Sequence, residues 1–311
     1  MKTNRDIEPS APPAKGLAAL EMDQRRAGIT LSLPAAILIV LLVLGPAGLV
    51  IAFSFTDYRL GIPNINFVAF DNYIDMFTDR DFWNSLTNTL IYVAIVIPGA
   101  VLGGLGAALL IDSRRYFRRF YRVAYFMPVA GTLVALATAW QLVLHPSFGI
   151  ANEFIHLFGA ERLPFFGDGN LALFTLAGIG IWELIGFNMV LFLAGLSTIP
   201  DDLYEAAALD GAGEGLKRFR LVTWPMLGPV TMFVVVLSAI RGFRVFETVA
   251  VITQGGPDRA TEVLLYSLFQ EGFKYFRIGS ACALAVVFLV ITLVLTLMQA
   301  RAFDRQVSYR R

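Results

Sequence analysis

Long uncharged runs alternate along this chain with short segments that hold most of its charge. A helix needs about 20 predominantly apolar residues to cross a bilayer. Six stretches meet that length: about 31–53, 86–111, 123–144, 171–196, 229–252 and 278–300. The first, second and last carry no charge, the fourth carries only Glu183, and the fifth is interrupted by Arg241, Arg244 and Glu247. Gly103, Gly104 and Gly106 in the second are small residues of the kind that let membrane helices approach closely. The predicted fold is all-α: a polytopic membrane protein with six transmembrane helices over residues 31–300. Residues 1–30 form a tail whose Pro9, Pro12 and Pro13 among alanines and charges predict disorder, and residues 301–311 form a short second tail.

Lysine and arginine in the flanks orient the spans. The N-terminal tail carries Lys2, Arg5, Lys15, Arg25 and Arg26, and the segment after the second span Arg114, Arg115, Arg118, Arg119 and Arg122. Lys217, Arg218 and Arg220 follow the fourth span, and Arg301, Arg305, Arg310 and Arg311 the last. The loop after the first span is acidic instead, with Asp57, Asp71, Asp75, Asp79 and Asp81 against Arg59 and Arg80. Both termini are therefore expected in the cytoplasm, which fits six spans. The first span is longer than the apolar core of a cleavable signal peptide and is read as a retained helix.

Composition agrees. The 311 residues are 57% hydrophobic and 16% charged, against about 45–50% and about 25% in a soluble domain. An ordinary cytosolic enzyme, a disulfide scaffold and a disordered chain are excluded. The net charge of +1 says nothing by itself about partners, no nucleic-acid partner is expected, and the one cysteine, Cys282, can form no internal disulfide. No GxxxxGK[ST] phosphate loop, HExxH or paired-cysteine pattern occurs, and His145 and His156 lack ligand-like spacing. No catalytic, metal or cofactor residue is assigned.

The segment between the fourth and fifth spans is the most informative. Pro200 ends the preceding helix, Asp202 and Glu205 have capping-box spacing, and Ala206 to Ala208 favour a helix with little side-chain bulk. Asp210-Gly211 then breaks it, and a second short helix is expected through Phe219, ending at Thr223-Trp224-Pro225. Taken alone, this is a helix–turn–helix connector.

The spacing Glu205-Ala206-Ala207-x-x-Asp210-Gly211-Ala212, followed by Phe219, Thr223, Pro225, Leu227 and Pro229, closely resembles the cytoplasmic EAA loop of binding-protein-dependent ABC importer permeases. Thr253-Gln254-Gly255-Gly256-Pro257, with Thr261 after it, resembles the T-x-GGP segment of the carbohydrate branch, the maltose and glycerol-phosphate type. The sequence departs from the pattern at Gly215-Leu216, where a bulky residue and glutamine are common. The resemblance implies that Glu205, Ala206, Ala207, Asp210, Gly211 and Ala212 form a coupling helix on a separate ATP-hydrolysing subunit, itself a dimer. Gly211 would permit the turn and the alanines would make the contact. It further implies a second, homologous permease subunit, a periplasmic or lipid-anchored solute-binding protein, a sugar-like substrate and a bacterial inner membrane.

Charges within the spans are the candidate substrate residues. At about 1.5 Å per residue, Arg241 lies about 18 Å along a helix starting at Pro229, and Glu183 lies at a similar depth from the other face. In a core about 30 Å thick both fall near the midplane, where transporter sites commonly lie. Two readings stand: a structural Glu183–Arg241 ion pair, or a pathway in which Arg241 and Arg244 contact an anionic or hydroxyl-rich substrate. Trp182 and Phe187 could supply stacking faces and Asn188 a hydrogen bond. The alternative function is an ion-gradient-driven transporter of a small polar solute with Glu183 as proton site.

Overall fold

The computed structural model describes residues 17–113, 116–213 and 215–308, with side chains described between 28 and 301. Lys2, Arg5, Lys15, Arg114, Arg115, Arg310 and Arg311, counted above toward orientation, lie outside the described residues, as does the tail up to residue 16. Among the described residues there is no strand, only isolated bridges pairing Thr56 with Phe67 and Arg59 with Arg277. The described residues fall into two compact units, one ending at Ala52 and the other beginning at Phe53.

In the first unit the tail is helical from Leu17 onward rather than disordered up to residue 30. Helix α1 (Leu17–Ile39) passes through a π-helical turn at Val40–Leu44 into α2 (Gly45–Phe53). Ser32 donates back to the Gly28 carbonyl at 2.8 Å. The apolar side chains are largely exposed. Full backbone pairing with apolar side chains outward is what a lipid-facing helix requires.

The second unit opens with the short α3 (Asp71–Thr78) and the long α4 (Arg80–Asp112), whose N-cap Asp79 accepts from Asp81 N–H at 2.9 Å. The third expected span is not one rod. It consists of α5 (Arg118–Ala130) and α6 (Leu133–Val143), bent by 102° at Gly131-Thr132. Pro128 lacks a backbone donor and Gly131 is extended, so the ladder cannot continue. A short α7 (Ile150–Leu157) precedes α8 (Gly169–Leu196). Then come α9 (Asp201–Leu209) and α10 (Gly215–Arg218), which runs without a stop into α11 (Trp224–Phe243). The expected break at Thr223-Trp224-Pro225 is absent, because a π-helical turn at Phe219–Thr223 widens the ladder just ahead of Pro225. At its other end the helix stops at Phe243, short of the expected 252. There Arg244 and Val245 N–H close tight turns on the Arg241 and Gly242 carbonyls. A single π-helical turn, Val249–Thr253, follows, then α12 (Leu264–Phe269) and α13 (Ile278–Ser308). Among the described residues, five helical stretches are long and apolar enough to cross a membrane, and six if the bent pair counts as one.

The core of this unit is α4 packed along α8. A Cβ at Gly99 or Gly103 would come within 2.5–2.7 Å of Ile181 or Ile185, and one at Gly104 within 2.5 Å of the Asn188 Cβ. Gly106, expected in this role, faces open space, and Gly99, one turn before Gly103, takes it. Two buried clusters continue the seam, one around Tyr92, Val96, Leu176 and Val249, the other around Leu105, Met189, Phe192 and Leu227.

Candidate functional site

Midway along α8 the Glu183 carboxylate faces α11, with Arg241 Nη1 3.8 Å from Glu183 Oε1. That is a loose ion pair without a hydrogen bond. The Arg241 guanidinium also lies 3.9 Å over the Phe187 ring, an attractive cation–π arrangement. Trp182 meets Trp140 of α6 edge to face at 5.2 Å. Glu183, Arg241, Arg244 and Glu247 line one cleft of about 50 Å³ together with Tyr92 and Trp182, and Leu133, Leu136 and Ala137 of α6 wall it. The broken segments are the ones that meet here: the start of α6 after its bend, and the irregular stretch after α11.

Asn188 lies elsewhere. It is fully buried, donates to Ser238 Oγ at 3.0 Å and accepts from it at 3.2 Å, pinning α8 to α11. Of the six residues expected along a pathway, Trp182, Glu183, Arg241 and Arg244 share the cleft, Phe187 reaches it through Arg241, and Asn188 is a core pin. Glu247 and Tyr92 also line it without having been singled out from sequence.

The Glu205–Ala212 segment packs where α4 ends. Its helix starts at Asp201 with Pro200 as N-cap and no side-chain cap, so the capping box expected from Asp202 and Glu205 is not formed. Asp201 and Asp202 sit instead in the first turn, where carboxylates favour the helix dipole. At the other end, Ala212 N–H bonds the Ala207 carbonyl at 2.8 Å and Gly211 N–H the Ala208 carbonyl at 3.1 Å. This Schellman closure needs a left-handed residue at Gly211, whose φ is +73°. Ala207 and Ala212 meet beneath it in the buried cluster with Leu105 and Ile111. The alanines thus divide: Ala207 and Ala212 point inward, while Glu205, Ala206, Asp210 and Gly211 stay outward beside Leu209, which is 90% exposed. Lys217 Nζ donates to the Gly211 carbonyl at 2.9 Å, and the Arg218 guanidinium lies 5.4 Å from the Tyr204 ring centre.

The Thr253–Pro257 segment lies at the opposite, N-terminal end of α4. Thr261 Oγ1 donates to the Gly256 carbonyl at 2.7 Å and lies at hydrogen-bond distance, 2.8 Å, from Thr253 Oγ1, and Gly255 has φ +85°. Asn88 of α4 donates to the Arg259 and Glu262 carbonyls at 3.1 and 3.0 Å, Asn84 donates to the Arg259 carbonyl at 2.8 Å, and Arg259 pairs with Asp81. Beside it opens a cavity of about 490 Å³ lined by Asp57, Asp71, Asp75, Asp79 and Asp81 with Glu271 and Arg277. Hydrogen bonds from the Asn66 side chain and backbone hold the Asp57 carboxyl below its ordinary range. Burial pushes Glu271 up, against the pull of Arg277 at 2.6 Å.

The two loops therefore sit at opposite ends of a helix about 50 Å long, with a charged recess midway between them. The family described as "Binding-protein-dependent transport system inner membrane component" matches residues 80–309. The chain belongs to this family. The permease is 32% identical over 284 residues to the sulfoquinovosyl glycerol transport system permease protein SmoG of Agrobacterium fabrum, covering 91% of this chain and 92% of that protein. It is 31% identical over 280 residues to the sn-glycerol-3-phosphate transport system permease protein UgpA of Escherichia coli O157:H7, covering 89% and 94%. Its fold matches a chain of a bacterial alginate ABC transporter solved with an alginate pentasaccharide-bound periplasmic protein. The TM-score is 0.81 at 21% identity, over 92% of this chain and 96% of that one. The permease is a multi-pass inner-membrane protein of the ABC importer type, and its relatives are transport subunits rather than enzymes.

Proposed function

We propose that this permease carries an anionic sugar or polyol derivative across the bacterial inner membrane as one half of an ATP-driven, binding-protein-dependent importer. The observation that carries the reading is the recess beside the middle of α8 and the C-terminal end of α11, which holds Arg241 and Arg244. A guanidinium inside the bilayer is costly unless it meets an anion or water, and its planar fork suits phosphate, sulfonate or carboxylate. The relatives SmoG and UgpA, whose named substrates are a sulfo-sugar glycoside and a glycerol phosphate, support that class.

In this reading both termini face the cytoplasm. The outward face of Glu205, Ala206, Leu209, Asp210 and Gly211 docks on a separate ATPase subunit, and a solute-binding protein delivers substrate at the end bearing the Thr253–Pro257 loop and the acidic cavity. A second permease subunit faces the cleft. At about 50 Å³ the recess has room for a few waters and not for a sugar. Substrate therefore passes only when the helices move apart, and that movement is alternating access driven by ATP. The loose Glu183–Arg241 contact suits a residue that exchanges partners, since an incoming anion can replace the carboxylate.

Uptake into proteoliposomes holding the assembled importer tests this. Uptake should require ATP and the binding protein and survive an uncoupler. Arg241→Ala should lower it by about tenfold or more, the loss of one charge-assisted contact. Uncoupler-sensitive uptake without ATP dependence would favour an ion-driven carrier using Glu183, and unchanged uptake by Arg241→Ala would remove the cleft from the pathway.

A further inference from the structure

The charged recess contains a residue with no role so far. Glu247 sits on the irregular segment between Phe243 and Val249 and lines the cleft with Glu183, Arg241 and Arg244. Glu183 has Arg241 at 3.8 Å, whereas among the described residues neither a cation nor a hydrogen-bond donor lies within bonding range of the Glu247 carboxylate. Two guanidiniums and two carboxylates therefore share a recess of about 50 Å³, and their formal charges cancel.

We propose that Glu247 is a specificity-determining residue of this cleft, which with Glu183 admits anions that carry hydroxyl groups and turns away bare inorganic anions. The proposal rests on the reading of the cleft as the substrate site. An ionised carboxylate only accepts hydrogen bonds, so a ligand satisfies it by bringing donors. Sulfate drawn to Arg241 and Arg244 brings no proton to donate, arrives beside two carboxylates and repels both. A sugar or polyol derivative presents the same anionic group to the arginines and its hydroxyl protons to Glu183 and Glu247. Discrimination then comes from a repulsive element as much as an attractive one. A site built to bond a hydroxyl rejects analogues that lack it more strongly than a site of matched shape alone.

The test uses the assembled importer in lipid nanodiscs, with radiolabelled sn-glycerol 3-phosphate as probe and inorganic sulfate and glycerol as competitors. Wild type should bind the probe and be displaced poorly by either competitor. Glu247→Gln, nearly isosteric, should weaken the probe and strengthen inorganic sulfate, narrowing their ratio by about tenfold. Glu247→Asp should restore part of the ratio. Wild-type binding with an unchanged ratio in Glu247→Gln overturns the proposal and leaves the substrate site standing. Failure of both variants to assemble makes Glu247 a structural residue and also overturns it. Absence of probe binding to wild type removes the anionic-polyol reading of the cleft, and this inference with it.

Discussion

Single residues divide here into those that touch the recess and those that hold its walls, and chemistry alone does not sort them. Asn188 and Glu183 stand five positions apart on α8, both polar in an apolar helix, yet one is sealed against Ser238 and the other faces the cleft. Asn188→Ala should lower the thermal stability of the purified permease by about 1–3 kcal/mol, the cost of stranding a buried partner. Binding selectivity should not change, which a melting curve and the competition assay would separate. Gly211 is the second decisive residue. With φ at +73° it closes α9 by the Schellman pair, and a branched side chain there costs about 1–2 kcal/mol. Gly211→Val should loosen the Glu205–Ala212 protrusion, so that ATP hydrolysis in the assembled importer continues with transport per ATP reduced. Undiminished coupling would show that the turn is not needed.

Whole helices are placed by their close contacts. The α4–α8 seam depends on Gly99, Gly103 and Gly104, and α5 approaches α8 at Gly186, where an added Cβ would strike the Tyr125 carbonyl. Backbone cannot rotate aside as a side chain can. Gly186→Ala should therefore push α5 away and cost about 1–3 kcal/mol, seen as a lower yield of folded permease after detergent extraction. Gly106→Ala, which meets open space, should be neutral in the same assay. The two interrupted elements, α5–α6 and the end of α11, are the ones that wall the cleft. In a membrane such breaks are tolerated where protein or water satisfies the freed backbone. Sequence pattern reported both as single spans, the fifth with its three charges included, because hydropathy averages over a window and does not register one extended glycine or the point at which a helix stops.

At the largest scale, within the unit that begins at Phe53, a long helix has the Glu205–Ala212 protrusion at one end, an acidic cavity and a stapled loop at the other, and a charged recess between. Orientation in the bilayer is a prediction from flanking arginines. Alkaline phosphatase fused after residue 79 should be active and fused after Arg311 inactive, and the reverse pattern would invert the assignment. Sequence by itself determined the number of apolar runs, the likeness of Glu205–Ala212 and Thr253–Pro257 to known loops, and the presence of charges at mid-span. Each of these is local along the chain, readable from composition over a few turns. Tertiary structure alone decided that Gly99 and not Gly106 lines the seam, and that Ala207 and Ala212 turn inward. It also decided that Asn188 is a pin, and that Glu247 joins Glu183, Arg241 and Arg244. Those outcomes depend on which face of a helix meets a neighbour and where a helix bends, and residues sixty positions apart become neighbours only after α8 and α11 have packed.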